Sequence, residues 1–316
     1  MTIDKTLVPG ENTGPQTAVP VAALQVTPSR WLIAVIRETR PRQWPKNLLV
    51  FAAPLAAASL GRNHGFGYAL LALFAFACAS AAVYFVNDVV DAERDRRHPV
   101  KRNRPIASGD LSAQHAVVLG VLAAALGIGA GVVIREPRLV AAVSVYLCLQ
   151  FLYSFRLKHV PFLEMLLVAS GFLLRVLGGA AATHVKPLSI WFLLVCTLGA
   201  LGVAVAKRYT ELTSLGPDAV RHRPVMRWYR PAWLRRAQWL VTAAMIVAYL
   251  LWAAGQDDPW IRTWHLVSAI PLAGALIRFE RLTGRADGRP VEDLIARDPV
   301  MITFELAWLV TFAAGL

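Results

Sequence analysis

The strongest constraint on this chain is a series of nine apolar stretches separated by polar connections. A helix needs about 20 apolar residues to cross the roughly 30 Å hydrocarbon core of a bilayer, and most of the stretches approach that length. Only 17% of the residues are charged, whereas soluble domains average about 25%, so an ordinary soluble enzyme is excluded. We therefore predict an all-α membrane protein with nine transmembrane helices. The predicted spans are 47–61, 66–86, 114–134, 138–155, 162–182, 188–206, 237–254, 260–279 and 300–316.

The amino-terminal segment differs from everything that follows it. Residues 1–29 are polar and proline-rich, and no basic start leads into an apolar run. We interpret this segment as a disordered cytoplasmic tail and not as a signal peptide. Residues 30–316 then form a single transmembrane domain.

The positive charges indicate how the helices are oriented. Of the 33 lysines and arginines, 26 lie in the connections on the amino-terminal side of the membrane and 5 lie in the opposite connections. Because short cytoplasmic loops carry an excess of such residues, we expect the amino terminus and the large loops to face the cytoplasm from a bacterial plasma membrane. Segment 221–236 interleaves arginines with aromatic residues, and we interpret it as an amphipathic segment on an anionic membrane surface. No nucleic-acid partner is expected.

An acidic cluster ends the second predicted span. Asn87, Asp91 and Asp95 are spaced by four residues, so on a helix each is displaced by about 40° and about 6 Å from the one before. Oxygen ligands on one face suit Mg²⁺, which prefers a few carboxylates together with water and substrate phosphate oxygens. The alternative is a solvated helix end with ion pairs to neighbouring arginines. We predict a magnesium site, in which Mn²⁺ could substitute.

Basic residues follow the acidic cluster directly. Lys101, Arg102 and Arg104 come within ten residues of Asp95. A diphosphate needs this arrangement, because a metal ion can bridge its oxygens while lysine or arginine takes the remaining charge. The pair of motifs therefore predicts a diphosphate site at this end of the membrane domain.

These motifs resemble those of the UbiA superfamily of intramembrane prenyltransferases. The matching segments are R-P-x-Q-W-P-K-N (40–47), N-D-x-x-D-x-x-x-D (87–95), K-R-N-R-P-I-A-S-G (101–109) and Y-S-F-R-L-K (153–158). The resemblance covers roughly 40–316 and is closest to the actinobacterial decaprenyl-phosphate phosphoribosyltransferase branch. It implies a nine-helix bundle with a catalytic cavity that faces the cytoplasm. It also implies transfer of 5-phosphoribose from 5-phosphoribosyl 1-diphosphate (PRPP) to decaprenyl or another polyprenyl phosphate, with Mg²⁺, for cell-wall arabinan synthesis.

The second acidic cluster of that superfamily is missing here. In the segment 153–179 the only acid is Glu164, and Glu211 lies one turn beyond Lys207 and Arg208. Lysines and arginines occupy the region where the second acidic cluster would lie, and they favour the binding of anionic groups at several points. PRPP carries a diphosphate and a phosphate, and a lipid phosphate adds a third anionic centre. This departure favours the phosphoribosyl branch.

The expected site residues fall into three groups. We expect Asn87 and Asp91 to be catalytic and to bind the metal together with Asp95. The expected PRPP contacts are Lys46, Tyr84, Asp88, Lys101, Arg102 and Arg104. The expected phosphate contacts are Tyr153, Arg156, Lys158, Arg175, Lys207 and Arg208, with Glu164 and Glu211 as further polar residues.

Some of these residues have simpler explanations that stay open. Tyr84 has the position of a membrane-interface tyrosine, and Lys46 could extend to the interface for solvation alone. Lys207 and Arg208 end a helix, where the dipole favours cations. Arg175 lies at membrane depth and could pair with a carboxylate such as Glu305 or with backbone carbonyls.

Two other functions also remain open. A prenyltransferase that uses a prenyl diphosphate and an aromatic or other small acceptor would share the fold and the metal site, but it would want the second acidic cluster. A transporter of phosphorylated lipid would place charges throughout the membrane depth, whereas here nearly all of them crowd one side. The expected partners are PRPP, polyprenyl phosphate, membrane lipid and further copies of the chain, with a trimer as a working guess.

Overall fold

The computed structural model describes residues 28–62, 64–185, 188–285 and 291–316. The predicted tail therefore lies outside the described residues, apart from its last two positions, which begin the first helix. The α-helices are α1 (Pro28–Glu38), α2 (Ala52–Ala56), α3 (Gly65–Arg96), α4 (Pro105–Ser108), α5 (Ala113–Val133), α6 (Pro137–Phe155), α7 (Leu163–Ala182), α8 (Ile190–Leu215), α9 (Asp218–His222), α10 (Pro231–Ala254), α11 (Pro259–Gly284), α12 (Val291–Arg297) and α13 (Pro299–Ala313). Short 3₁₀ helices cover Pro41–Phe51, Lys101–Asn103, Leu157–His159 and Pro224–Trp228.

The protein is an all-helical, multi-span membrane protein. Within the described ranges, six helices are long and apolar enough to cross a bilayer: α3, α5, α6, α7, α8 and α10. Helix α11 has 26 residues but is less apolar, and α13 has 15 residues, fewer than the roughly 20 that a crossing needs. The membrane class is confirmed, and the count of nine spans stays a prediction.

The first predicted span, 47–61, is not one continuous α-helix. A 3₁₀ helix that contains Pro45 runs to Phe51, and only five α-helical residues follow. Proline supplies no backbone N–H and clashes with the preceding turn, so Pro45 and Pro54 break the segment although its composition is apolar. The segment packs against α7, where a Cβ on Gly179 would lie 1.8 Å from the Val50 carbonyl oxygen. Glycine at position 179 is what permits this close approach.

Helix α3 lies at the centre of the largest apolar core. It packs against α5, α6 and α7, and Phe76, Leu139 and Val143 are fully buried between these helices. A Cβ on Gly127 of α5 would come within 2.9 Å of the Ala75 carbonyl oxygen of α3. Small residues at such contacts let helix backbones approach closely in a membrane. The packing fixes the rotation of α3 and hence the direction of its acidic end.

The charged ends of several helices meet at one end of the bundle, which we call the basic end. It comprises the last turns of α3 and α8, the first turn of α7 and the connections 97–104, 156–162 and 216–230. Helix α1 lies against the same end, with Ala34 buried beside Phe85 and Ile106 and with Leu32 and Ile33 exposed. This amphipathic helix was not predicted from the sequence.

The expectation that segment 221–236 lies on the membrane surface is wrong for its middle part. Val225, Met226 and Tyr229 are buried in a core cluster with Met165 of α7, because the short 3₁₀ helix folds back onto the bundle. Trp228 stays 60% exposed.

Candidate active site

Every carboxylate that ends α3 in this site faces a cation. Asp88 is 2% exposed and accepts hydrogen bonds from Arg40 at 2.5 Å and Arg104 at 3.1 Å. Arg104 also donates to Asp95 at 2.6 Å, and Asp95 is buried as well. Arg104 therefore ties two successive turns of α3 to the connection that follows the helix.

Asp91 is more accessible than Asp95, with 17% against 3% of the side chain exposed. Lys158 donates to both of its carboxylate oxygens at 3.3 Å, and the exposed Arg94 lies 3.7 Å away. Asn87 donates to Asp88 at 3.2 Å. The predicted phosphate contact Lys158 thus reaches the acidic cluster from the α6–α7 connection.

The metal ligands Asn87, Asp91 and Asp95 stay a prediction. No group of three or more His, Cys, Asp or Glu side chains in the described part of the chain lies close enough to hold a metal ion, but Asn87 is outside these residue types. In this structure Arg104 pairs with Asp95 and Lys158 pairs with Asp91. The donor chemistry nevertheless suits Mg²⁺, because the amide and carboxylates are hard oxygen ligands beside cations that could turn to phosphate.

The predicted PRPP contacts surround this cluster. Arg40 lies over the Tyr84 ring, 4.6 Å from its centre, and Lys46 donates to Gln43. Burial and the nearby Arg104 lower the pKa of Lys101. Arg102 is exposed. The structure thus brings Tyr84 to the acids through Arg40, while Lys46 bonds within its own 3₁₀ helix.

Arg175 is buried deep in α7 among neutral oxygen atoms. Its guanidinium donates to Asn47 at 2.8 Å, to Ser80 at 2.8 Å and to Tyr146 at 3.1 Å, as well as to a carbonyl one turn earlier in α7. The suggested pairing with Glu305 is wrong, whereas the carbonyl contact is present. The Arg175 guanidinium therefore donates its hydrogen bonds to neutral acceptors, at a depth where charges are costly and commonly functional.

A second charged cluster, the Glu164 cluster, lies between α7, α8 and the 216–230 connection. Glu164 is fully buried and accepts two hydrogen bonds from Arg208, at 2.5 and 2.7 Å. Arg223 donates to the same carboxylate at 3.2 Å and Tyr229 at 3.3 Å. This bidentate, four-bond arrangement uses the acceptor capacity of Glu164 fully.

Glu211 completes the Glu164 cluster. It pairs with Arg208 at 2.9 Å and with Arg223 at 3.5 Å, so neither acid of this region is left for a metal ion. Tyr153 accepts from Arg223 at 3.4 Å. Of the predicted phosphate contacts, Arg156 is exposed and Lys207 is half-buried with partners of its own.

Sequence reasoning missed several residues of these networks. Arg40 and Asn47 begin and end the R-P-x-Q-W-P-K-N motif, which was a sufficient signal to include them. Arg223 lies in the basic segment 221–236, which we interpreted as lying on the membrane surface. Ser80 and Tyr146 lie inside apolar spans, where a lone hydroxyl gave no signal.

A crevice of about 520 Å³ lies at the ends of α6 and α7 that are remote from the basic end, lined by apolar side chains and Arg138. Predicted site residues on α6, α7 and α8, such as Tyr153, Glu164 and Lys207, share helices with this lining, but none of the predicted site residues lines the crevice. The side of the membrane on which a catalytic cavity opens stays a prediction.

Comparison with known proteins gives consistent results. The model of the UbiA prenyltransferase family matches residues 48–291. A decaprenyl-phosphate phosphoribosyltransferase of Mycobacterium tuberculosis is 39% identical over 298 residues, which cover 92% of this chain and 96% of that protein. Its counterpart in Mycolicibacterium smegmatis is 36% identical and covers 92% and 94%. A UbiA homologue from Archaeoglobus fulgidus, solved with DMAPP and Mg²⁺, has a similar fold at 17% identity, with a TM-score of 0.66 over 89% of this chain and 97% of that one.

Proposed function

This chain belongs to the UbiA prenyltransferase family, and within that family we propose that it transfers 5-phosphoribose from PRPP to a polyprenyl phosphate, decaprenyl phosphate in the first instance. The products are diphosphate and a polyprenylphosphoryl-5-phosphoribose. The named relatives support this choice, because they are phosphoribosyltransferases at 36–39% identity over nearly the whole chain.

The observation that carries the proposal is the Glu164 cluster. A donor held by two acidic metal sites would need free carboxylates on α7 and α8, yet Glu164 and Glu211 are both bound to Arg208 and Arg223. The region is rich in guanidinium groups instead. Such a surface suits a second phosphate group, and PRPP and the lipid phosphate both supply one.

We assign the diphosphate of PRPP to the end of α3. Asn87, Asp91 and Asp95 are the residues that would hold Mg²⁺, and the bound ion would stabilise negative charge on the leaving diphosphate. Lys158 and Arg104 lie against these carboxylates and are placed to turn toward the phosphate oxygens. Lys158 and Arg104 would then neutralise the phosphate oxygens of the donor instead of pairing with the carboxylates of α3.

The reaction needs no proton transfer. A phosphate oxygen of the lipid forms the new bond to C1 of the ribose, and the bond between C1 and the diphosphate oxygen breaks with its electron pair leaving on diphosphate. The lipid phosphate is already anionic at neutral pH, so no general base is required. The side chains contribute orientation and electrostatic stabilisation of the leaving group.

Arg175 is our candidate for attracting the acceptor. It lies eleven residues after Glu164 on α7, about 16 Å deeper along the helix, and neutral acceptors surround its charge. An uncompensated guanidinium in a medium of low dielectric exerts a long-range pull on an anion. We propose that it draws the lipid phosphate toward the donor while the hydrocarbon tail leaves sideways between helices.

A transfer assay with purified protein tests the proposal. Protein in nanodiscs receives PRPP labelled in the ribose, decaprenyl phosphate and Mg²⁺, and the lipid fraction is extracted. We expect label in the lipid fraction, a rate about 10²- to 10³-fold lower with Asp91→Asn, and no label after removal of divalent ions.

Two results would favour the competing functions. Label that stays in water, combined with turnover of a prenyl diphosphate and an aromatic acceptor, would favour an ordinary prenyltransferase. Movement of polyprenyl phosphate between leaflets without a covalent product would favour a transporter. The cytoplasmic orientation of the basic end, the nine spans and a trimeric assembly belong to the same proposal, and protease accessibility and mass measurement in nanodiscs test them.

A further inference from the structure

Glu38 is a buried acid that the proposed reaction does not use. It ends α1, its side chain is 1% exposed, and neither of its carboxyl oxygens meets a hydrogen-bond donor. The second carboxylate oxygen of Asp88 is also buried without a donor. The two side chains are within hydrogen-bonding contact of each other.

Two buried carboxyl groups in contact cannot both be ionised at neutral pH, because like charges in a medium of low dielectric repel strongly. A proton held between them removes the repulsion and supplies the missing donor. Asp88 already receives hydrogen bonds from the guanidinium groups of Arg40 and Arg104, which favour its charged form. The proton therefore belongs on Glu38.

We propose that Glu38 is a neutral carboxylic acid that donates a hydrogen bond to Asp88 and acts as a positioning residue for the donor site. The bond fixes the second oxygen of Asp88, so that its first oxygen stays between Arg40 and Arg104. Arg104 in turn reaches Asp95. The role in donor binding rests on the proposed function, whereas the protonated state of Glu38 does not.

The surroundings of Glu38 support this state. The charged groups that face it are Asp88 on α3, Arg40 at the start of the 3₁₀ helix and Arg104 before α4. On α1 itself, Arg37 turns away and donates to the Asn103 carbonyl. Burial, followed by the charge of Asp88, raises the pKa of Glu38 from its ordinary value of 4.5 to about 8.

The position of Glu38 also connects the site to α1. The helix exposes Leu32, Ile33 and Ile36 and buries Ala34 against α3 and α4. Such an amphipathic helix lies in the membrane interface. The bond from Glu38 to Asp88 is the polar link between that helix and the acidic end of α3.

The sign of the pH dependence follows from the raised pKa. Glu38 is neutral in the folded protein below a pH of about 8 but ionises in the unfolded chain above its ordinary value. The stabilising contribution is complete below pH 4.5 and is lost as the pH rises through about 8. At higher pH a second negative charge also stands beside Asp88 and opposes a polyanionic donor.

Infrared difference spectroscopy tests the protonation directly. Wild-type protein in nanodiscs is compared with Glu38→Gln, and the carbonyl band of a protonated carboxylic acid is followed as the pH rises. We expect a band that disappears with a midpoint at about 8 and is absent from Glu38→Gln. The matched control is Glu93→Gln, which removes an exposed acid of α3 and should keep the band. A wild-type spectrum without the band, or a band that survives in Glu38→Gln, would overturn the proposal, and the wild-type titration alone decides if the variant does not fold.

A second measurement separates positioning from simple structural support. We expect the thermal midpoint of the wild type to fall relative to Glu38→Gln as the pH rises from 4.5 to about 8. We expect the KM for PRPP to rise with a midpoint at about 8 while kcat is unchanged. Glu38→Gln keeps an N–H donor for Asp88 and should show neither change. Identical pH profiles in the two proteins would contradict the positioning role. If no phosphoribosyl transfer is found, the proposed function fails, and the infrared band still decides the state of Glu38.

Discussion

The two charged clusters at the basic end both pair carboxylates with cations, but their ion pairs differ in burial and in strength. At the end of α3, Asp91 is held only by a pair of 3.3 Å contacts to the partly exposed Lys158. In the Glu164 cluster the carboxylate is fully buried and receives a bidentate guanidinium with bonds of 2.5 and 2.7 Å. A charge-assisted bidentate pair is both stronger and more restrictive than a lysine contact.

The difference separates a site that can exchange partners from one that cannot. Moving Arg208 off Glu164 would break a bidentate pair between two buried groups and leave only the weaker contacts to Glu211 and Arg223, and the cost of that is several kcal/mol. Lys158 can leave Asp91 at much lower cost, because both groups touch solvent and a metal ion or a phosphate can replace each partner. We therefore infer that the donor and its metal ion bind at the end of α3, and that the Glu164 cluster has a structural role.

Replacing Glu164 by Gln should have the largest effect on stability. The change removes the bidentate carboxylate from the buried Arg208 and leaves it Glu211 as its remaining counter-ion. Breaking a buried pair of this kind costs about 3–5 kcal/mol, and thermal unfolding of the protein in detergent measures it. Asp218→Asn serves as the control, because its partner Arg221 is exposed and such pairs contribute about 0–1 kcal/mol. Equal midpoints for the two variants would remove the distinction between the clusters.

Replacing Asp91 by Asn should have the largest effect on transfer with little effect on stability. Loss of a charge that stabilises the leaving group lowers the rate by about 10²- to 10³-fold. The rate of label transfer to lipid measures this, and Glu93→Gln on the same helix should transfer at the wild-type rate. Full activity of Asp91→Asn would refute the assignment of the donor site.

Replacing Lys158 by Met tests whether Asp91 can exchange its lysine partner for a metal ion. Without its lysine, Asp91 should bind Mn²⁺ more tightly in the absence of substrate, while PRPP loses a charged contact worth about 1.5–3 kcal/mol, or roughly a tenfold to hundredfold rise in KM. Calorimetry with Mn²⁺ and steady-state kinetics measure the two effects. Arg94→Met is the control, since Arg94 also faces Asp91 but is 69% exposed. Weaker Mn²⁺ binding by the lysine variant would contradict exchange.

The smallest effect is expected at Asp298, which belongs to neither cluster. Hydrogen bonds from Arg278 and from the backbone of α13 lower the pKa of Asp298 to about 2. Its contribution to stability is therefore present above its ordinary value of 3.8 and is lost as the pH falls through about 2. Asp298→Asn should flatten the acid limb of the stability curve without changing transfer at neutral pH. An unchanged acid limb would show that the pair contributes nothing.

Local sequence patterns predicted the parts of this fold that depend on local physics. The apolar runs marked α3, α5, α6, α7, α8 and α10, and four-residue spacing placed Asp91 and Asp95 on successive turns of one helix. The segment 47–61 was misjudged because hydropathy does not distinguish a span from an apolar segment that packs against other helices. Pro45, two residues before the segment, and Pro54 within it already indicated a break in the helix.

The pairings within the site could not be predicted in this way. Arg40 reaches Asp88 across 48 residues, Arg208 reaches Glu164 across 44, and Arg175 reaches Asn47 across 128. Such contacts are set by how helices pack, and spacing along one helix carries no information about them. The same limit explains why the ion pairs of Asp91 with Lys158 and of Asp95 with Arg104 were not predicted.

The most direct test of the account is the position of the divalent ion. Crystals grown with PRPP and Mn²⁺ would give an anomalous signal wherever the ion binds. We predict a peak beside Asn87 and Asp91, with Lys158 turned toward the diphosphate, and none beside Glu164 or Glu211. A peak within the Glu164 cluster, or no peak at the end of α3 while PRPP is bound, would contradict the account.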